Sequence, residues 1–408
     1  MNKKIISNLF LIVVPILVII GCKENAEPNP LPAPKADFSW TIADNGNVQF
    51  ENKSVGANSY VWTFDGNTAT SKESNPKYRF SKNGTFEVTL TASNASGSDK
   101  KTTIILINSI TPIASSKISL DKYVVPCNLT VNGSNATETT KIRVLNENKT
   151  EITSSTSQDY SYKLSNSGLY IIEYSVSNVA GSATKIDSII VFENSATTDF
   201  YEVKLKELPL KIRKSNADKI ANQPTFLYLF GKIDRMKSQV PNWAYDAFKK
   251  ITLWVDDGSM PNSTAVYHPT KAWLIQNGYM EAKALGVELS NLTNFVNWSK
   301  SIQTDILLHE YAHAYHHQVM VNGSNNKMIL DAYNASMASK KYESVDYLGG
   351  GKQKHYGTNN QQEYFAEMTE AYFGKNDFYP FIRSELKSFD VGSFNLMEKV
   401  WVNGMKNN

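Results

Sequence analysis

The chain has 408 residues, with 42 lysines and arginines against 39 aspartates and glutamates and a net charge of +3. A charge this small and this interspersed excludes a dedicated nucleic-acid-binding surface. Two cysteines exclude a cysteine-rich zinc site and a disulfide framework, and the length predicts roughly two to four domains of about 100–200 residues each.

The first 22 residues predict a secretory signal. Two lysines precede an apolar run from Leu9 to Ile20, which a glycine separates from Cys22. The four residues that end at Cys22 resemble a bacterial lipobox, which implies that this cysteine is lipidated and anchors an extracytoplasmic chain to the outer membrane or cell surface. The alternative is an uncleaved transmembrane anchor, although the run is shorter than the ~20 apolar residues that a membrane span needs.

The next segments predict a tether and two β-sandwiches. Residues 23–35 are rich in proline and form an extended spacer. Short β-branched or aromatic runs then alternate with Asn, Gly and Ser clusters. The pattern occurs twice, at an offset of 84 residues that aligns Gly84 with Gly168. We therefore predict two like domains, at residues 36–108 and 109–194.

The first copy resembles the PKD family of extracellular β-sandwich modules through YVWTFDGN, which begins at Tyr60, and NGTFEVTLTASNASG. It departs from the usual WDFGDG of that family by reading WTFDG from Trp62. The second copy lacks this segment and is PKD-like or immunoglobulin-like. The resemblance implies stalk modules, or modules that bind a protein or glycan ligand.

The stretch DILLHEYAHAYHHQ contains an HExxH motif from His309 to His313. On an α-helix, positions i and i+4 lie on one face, so both imidazoles can bind one ion while Glu310 reaches the metal-bound water. A chance occurrence of the motif is the alternative. A catalytic zinc needs a third protein ligand. Position 319, where a metzincin carries a histidine, is Val319, which excludes that arrangement.

A carboxylate from a later helix is the other source of a third ligand. Glu363, Glu367 and Glu370 fall at i, i+4 and i+7, so they share one helix face. The polar stretch at residues 358–360 before them is suited to capping that helix. The spacing predicts a helix that carries the third ligand.

At this point the chain resembles the gluzincin metallopeptidases related to the catalytic domain of anthrax lethal factor. The resemblance covers residues 306–374 and rests on HExxH, the following Tyr356, and EYFAE, which begins at Glu363. It implies one Zn²⁺ per chain held by His309, His313 and Glu363.

The same resemblance implies three catalytic or supporting roles. Glu310 is the general base, Tyr356 stabilises the oxyanion or the leaving group, and Glu367 orients a metal ligand or Tyr356. The neighbouring His316 and His317 are predicted to be structural or to support the ligands, and His355 is predicted at the rim of the cleft.

The sequence thus predicts a multidomain chain in which two all-β sandwiches precede an α+β zincin-type domain at residues 197–408. The expected function is that of an extracytoplasmic, lipid-anchored zinc metalloendopeptidase with a polypeptide substrate. One alternative is a cell-surface adhesin or scaffold with a non-catalytic metal-binding domain. Another is a zinc amidase that acts on cell-wall or glycan amides.

Overall fold

The structure is a computed structural model, and it forms two compact units, Met1–Ile110 and Thr111–Asn408. The predicted signal, its Cys22 and most of the predicted tether lie outside the described residues. In the part of the chain that is described, no helix is both long enough and apolar enough to span a bilayer. The described residues are 31–66, 69–134, 139–218, 223–258 and 264–405.

The first unit is a β-sandwich. Its strands are β1 (Phe38–Ile42), β2 (Asn47–Asn52), β3 (Ser59–Phe64), β4 (Ala69–Ser71), β5 (Lys77–Arg79), β6 (Gly84–Asn94) and β7 (Gly97–Ile107). One sheet has the order β1-β2-β5, the other β4-β3-β6-β7, and all pairs are antiparallel.

Alternation along the strands explains this sandwich. From Phe86 to Ala92, every second side chain of β6 is buried, as expected for a strand with one face on the core. The two buried faces meet at Trp62, whose ring packs edge-on against Phe38 with centroids 5.1 Å apart. Its indole N–H donates to the carbonyl of Glu73, so the largest core side chain has no unpaired polar atom.

The second unit begins with another sandwich. Its strands are β8 (Ser116–Leu120), β9 (Cys127–Gly133), β10 (Thr139–Asn146), β11 (Glu151–Ser155), β12 (Asp159–Leu164), β13 (Gly168–Asn178) and β14 (Gly181–Val191). The sheets have the orders β12-β9-β8 and β11-β10-β13-β14.

Residues 84 positions apart occupy equivalent strands in the two sandwiches. The hairpin of β6 and β7 in the first copy corresponds to that of β13 and β14 in the second. Gly84 and Gly168, which begin the first strand of each hairpin, have φ angles of 149° and 145°. Residues with a side chain rarely adopt such angles, which explains why glycine occurs at both positions.

An α+β region follows, as predicted. Its strands are β15 (Glu193–Asn194), β16 (Phe200–Leu205), β17 (Leu208–Arg213), β18 (Leu253–Val255), β19 (Val266–Tyr267), β20 (Val287–Leu289), β21 (Val345–Asp346) and β22 (Lys352–Gln353). The main sheet has the order β15-β16-β17-β18-β20-β19. Strands β17, β18 and β20 run parallel, and β19 is an antiparallel edge strand.

Helices cover this sheet and form the rest of the region. They are α1 (Lys214–Ala217), α2 (Gln223–Gln239), α3 (Asn242–Phe248), α4 (Lys271–Gln276), α5 (Leu292–Ser301), α6 (Ile306–Gln318), α7 (Lys327–Ala338), α8 (Gln361–Phe373), α9 (Arg383–Phe389) and α10 (Val391–Met397). Helix α6 packs on α8, and both bury most of their residues.

The second sandwich and the α+β region share one hydrophobic core. Leu169, Ile190 and Phe192 of the sandwich are part of the same buried cluster as the helices and sheet that follow. The Phe192 ring packs edge-on against Phe226 of α2 at 5.5 Å. The side chain of Gln223 bonds to both the backbone N–H and the C=O of Ile190, at 3.0 and 3.1 Å. This sandwich is therefore built into the second unit.

A buried ionic network fixes the edge of the main sheet. Asp256 accepts hydrogen bonds from Arg213 and from Lys283, the latter at 2.6 Å. Lys283 also lies 2.8 Å from Glu288, which lies 2.7 Å from His268. Burial alone would raise the pKa of Asp256, but its two cationic partners lower it to about 2. The network links β17, β18 and β20 to the residue after β19, so it holds the edge strand in place.

Candidate metal centre and cleft

Helix α6 brings the two motif histidines onto one face. His309 and His313 are one turn apart, and their ring centroids are 4.7 Å from each other. The Nε2 atom of each ring lies 3.2 Å from Oε2 of Glu363. The structure therefore brings together the three side chains that the sequence predicts as metal ligands.

Glu363 reaches this point from the first turn of α8. The side chain of Asn360 caps the helix by accepting from the backbone N–H groups of Gln362 and Glu363, at 2.9 and 2.8 Å. Asn360, the last residue of the capping stretch predicted at residues 358–360, is therefore the N-cap of α8. This cap sets the position of the carboxylate opposite α6.

The donor set fits a small divalent ion. One ligand atom from each of His309, His313 and Glu363 lies within 4.8 Å of the other two. Ligands at about 2.0–2.1 Å in a tetrahedron around zinc stand about 3.3–3.4 Å apart, close to the two nitrogen–oxygen distances of 3.2 Å. Two imidazoles and one carboxylate also suit Zn²⁺ better than Mg²⁺ or Ca²⁺, which prefer all-oxygen shells.

The charges of these side chains depend on one another. Burial alone would lower the pKa of His309, but the carboxylates of Glu363 and Glu370 raise it well above its usual range. Burial alone would raise the pKa of Glu363, but hydrogen bonds with His309 and His313 lower it. The centre therefore favours positive charge between the imidazoles and the carboxylate, as a metal ion would supply.

Glu370 holds the far side of His309. Its Oε1 lies 2.6 Å from Nδ1 of His309 and also accepts from the side chain of Gln303 at 2.7 Å. A partner on Nδ1 leaves Nε2 free to bind metal and fixes the orientation of the ring. Glu367, predicted for a supporting role, has Oε1 3.6 Å from the same nitrogen. Glu370 shares the predicted helix face with Glu363, but the sequence alone indicated no role for it.

Three acidic side chains form a buried layer beside His309. Glu367, Glu370 and Asp377 are at most 5% exposed. Burial, and for Asp377 also the nearby Glu370, raises the pKa of Asp377 to about 7, and burial raises that of Glu367 well above its usual range. One oxygen of each side chain has no hydrogen-bond partner among the described residues. A cation at the centre would favour the charged form of these carboxyl groups.

The two predicted catalytic side chains line the same cleft as the ligands. The cleft has a volume of about 740 Å³, and both Glu310 and Tyr356 contribute to its wall. Glu310 is 8% exposed and Tyr356 46% exposed. Tyr356 lies in a short turn that His355 caps by accepting from the N–H of Gly357. Burial raises the pKa of Tyr356, with a further contribution from Glu363, so its hydroxyl proton is retained at neutral pH.

The rest of the cleft lining combines polar and aromatic side chains and includes the edge strand β19. Residues 264–267 and several residues of α6 both contribute to it. The other aromatic side chains that line the cleft are Trp273, Trp298, Tyr347 and Phe378. No lysine or arginine contributes to the part of this wall that the described residues form. The cleft thus offers both apolar and acidic surfaces.

The remaining histidines divide into buried and cleft-facing ones. His316 is fully buried against the ring of Phe365, and neither ring nitrogen has a partner among the described residues. Burial lowers the pKa of His316 to about 3. His355, predicted at the cleft rim, is 1% exposed because it packs between Tyr342 and Phe378, so that prediction is wrong. His317 lines the cleft.

Comparisons with known proteins match a PKD domain to the first sandwich. The family model described as PKD domain matches residues 29–107. No curated protein matches the chain. The PKD1 domain of the Vibrio cholerae metalloprotease PrtV is 34% identical, with 19% of this chain and 98% of that chain covered and a TM-score of 0.17. The PKD1 domain of Vibrio anguillarum Epp is 28% identical, with 19% and 94% covered and a TM-score of 0.18.

Proposed function

We propose that this chain, whose residues 29–107 match the family model described as PKD domain, is an extracytoplasmic zinc metallopeptidase. The observation that carries the proposal is the convergence of His309, His313 and Glu363, with both nitrogen–oxygen distances at 3.2 Å. These atoms lie on the wall of a cleft that Glu310 and Tyr356 also line. A closed structural zinc site would instead have four protein ligands and no base.

Each of these side chains has a role in peptide hydrolysis. His309, His313 and Glu363 would hold the ion, which supplies a water of lowered pKa and polarises the scissile carbonyl. Glu310 accepts the proton of the attacking water and passes it to the leaving amine. Tyr356 donates a hydrogen bond to the developing oxyanion.

The local architecture supports a zincin-type fold. A helix with HExxH and a second helix with a glutamate ligand are what the resemblance to gluzincins related to anthrax lethal factor implies. Helices α6 and α8 supply these two elements in the same order. Glu370, through its bond to His309, adds the carboxylate–histidine pair that accompanies catalytic zinc ions.

A polypeptide is the substrate that best suits the cleft. Strand β19 lies at the edge of the main sheet, where it pairs with β20 alone among the described residues. Its cleft-lining residues can therefore pair with an extended chain laid beside them. Such pairing uses the hydrogen-bonding groups of the substrate backbone, which favours a peptide over a small molecule.

The location of the chain follows from its N-terminal half. A PKD domain suggests an extracellular protein. The lipobox-like sequence that ends at Cys22 supports a lipid anchor, and the proline-rich residues 23–35 support a spacer between membrane and first sandwich. We propose that the enzyme acts at the bacterial cell surface, held by its N-terminal lipid.

Metal analysis and turnover of the full chain test this function. The parent should bind one Zn²⁺ per chain, Glu363→Ala should lose it, and Glu310→Gln should keep it while hydrolysis of a mixed peptide library falls by roughly 10²-fold or more. Zinc without any turnover by the parent would favour the scaffold. Release of products from cell-wall amides, with peptides left intact, would favour the amidase. A parent without zinc would overturn all three.

A further inference from the structure

His317 extends the line of histidines on α6. It lies one turn past His313 and two turns past His309, so all three are near one face of the helix. His317 is half-buried and lines the cleft together with Ser324. Along the helix axis it is about 6 Å beyond His313, too far to bind the same ion. Its role must therefore differ from that of the two ligands.

A chain of hydrogen bonds positions the His317 ring. The side-chain amide of Gln318 donates to the carbonyl of Leu285 at 3.0 Å and to the hydroxyl of Tyr267 at 3.1 Å. The carbonyl can only accept, so this amide nitrogen, and not the amide oxygen, must face it. The Tyr267 oxygen therefore accepts from Gln318, and its own proton is available to Nδ1 of His317, 2.7 Å away.

This arrangement favours Nε2 of the neutral His317 ring as the donor. In neutral imidazole one nitrogen accepts and the other carries the proton, so an accepting Nδ1 leaves the proton on Nε2. No hydrogen bond joins that nitrogen to any described residue. His316, the preceding residue, is instead fully buried, and neither of its ring nitrogens has a hydrogen-bond partner among the described residues.

We propose that His317 is a substrate-recognition residue that donates a hydrogen bond from Nε2 to a backbone carbonyl of the bound polypeptide, with Tyr267 and Gln318 as its positioning residues. This inference rests on the proposed peptidase function. In the described part of the cleft wall no lysine or arginine competes for that carbonyl. Tyr267 belongs to the edge strand β19, so the hydrogen bonds that join Gln318, Tyr267 and His317, called the relay below, link α6 to the strand along which an extended substrate would lie.

Three hydroxamates test the proposal on the zinc-loaded full chain. Acetohydroxamate reaches only the metal. One peptidyl hydroxamate extends to the amino side of the scissile position and another to the carboxyl side. Calorimetry should show that His317→Ala weakens one of the peptidyl compounds about three- to tenfold, the value of one neutral hydrogen bond, and leaves acetohydroxamate unchanged. His317→Gln retains an N–H donor and should recover part of the loss.

The controls separate this proposal from the function on which it rests. Val321→Ala, an exposed position just past α6, should bind all three compounds as the parent does. Equal affinities of the parent and His317→Ala for both peptidyl compounds would overturn the role of His317 and leave the peptidase intact. A parent that fails to bind acetohydroxamate would overturn the zinc site, and the proposal with it. Weaker acetohydroxamate binding by His317→Ala would show that His317 supports the metal and not the substrate.

The tautomer of His317 tests the relay directly, in an experiment that needs no ligand. In ¹⁵N spectra of imidazole-labelled chain, His317 should be the neutral Nε2–H tautomer, and Tyr267→Phe should shift it toward a mixture of both tautomers. An Nδ1–H tautomer in the parent would overturn the proposal, since Nε2 would then be unable to donate.

Discussion

The Nδ1 atom of His309 lies 2.6 Å from Oε1 of Glu370, and Glu370 is fully buried. The same oxygen accepts from Gln303, so the carboxylate is itself held in place. Glu367, one turn earlier on the same helix, is 1 Å farther from that nitrogen, at 3.6 Å. The two glutamates of α8 therefore differ in how directly they can orient the proposed metal ligand.

This difference predicts unequal effects on zinc affinity. Glu370→Ala removes the acceptor of the His309 ring and should weaken zinc binding about 10–100-fold, whereas Glu370→Gln should cost less because its amide oxygen can still accept. Glu367→Ala is the matched control and should cost less than Glu370→Ala. Competition against a chromophoric chelator measures all three. A larger effect of Glu367→Ala would mean that Glu367 is the residue that orients His309.

Tyr356 should contribute to turnover but not to metal binding or folding. Its side chain is 46% exposed, so Tyr356→Phe should leave zinc content and thermal stability unchanged. Loss of one transition-state hydrogen bond should lower kcat/KM, which corresponds to a rise in the activation free energy of about 2–4 kcal/mol at most. The comparison is with Glu310→Gln on the same peptides, and a phenylalanine variant as active as the parent would exclude the oxyanion role.

The shared core predicts where the chain can be cut. A fragment that begins at residue 197 loses β15 and exposes the surface that Ile190 and Phe192 cover, so it should aggregate or unfold at a lower temperature. A fragment that begins at residue 111 keeps the whole second unit and should melt cooperatively. Calorimetry of both fragments distinguishes them, and equal melting temperatures would show that the second sandwich adds no stability to the region that holds the site.

The lowered pKa of the buried His316 predicts that the chain loses stability in acid. Its folded pKa of about 3 lies below the unfolded value of about 6.5, so the unfolded chain binds a proton that the folded chain does not. As pH falls from about 6.5 to about 3, this group alone should lower the free energy of unfolding by up to about 1.4 kcal/mol per pH unit.

Replacement of His316 tests this slope. His316→Leu removes both unpaired nitrogens from the contact with Phe365 and should flatten the dependence of stability on pH over that window. Urea unfolding at several pH values, with chelator present so that zinc does not contribute, gives the slopes. Identical slopes for parent and variant would mean that the ring is protonated in the folded chain.

Lipidation of Cys22 is predicted to anchor the chain to the membrane. Cys22→Ser should abolish labelling with a radioactive fatty acid and move the chain from the membrane fraction to the soluble one. A serine variant that stays in the membrane fraction with the mass of the unprocessed chain would instead indicate a transmembrane anchor.

Local patterns were sufficient for much of the fold and the centre. The spacing of His309 and His313 fixes both on one helix face, whatever the helix packs against. The Asn360 cap and the offset between Gly84 and Gly168 also depend only on neighbouring residues or on internal repetition. The meeting of Glu363 with the two histidines at 3.2 Å agrees with the ligand set that the family resemblance implied.

The sequence by itself placed His309 and His313 on one helix face and three candidate glutamates on the face of another helix, because helical periodicity acts within a few residues. The choice of Glu363 among the glutamates came from the family resemblance. The sequence did not determine which glutamate supports the ligands. Relative to Glu363, Glu367 is rotated by about 40° and Glu370 by about −20°, so both share one face and only the packing of α8 on α6 selects Glu370. Tertiary structure likewise decided how the second sandwich packs on the α+β region and how Tyr267 positions His317. These contacts join residues that are 33 and 50 positions apart, beyond the reach of local sequence patterns.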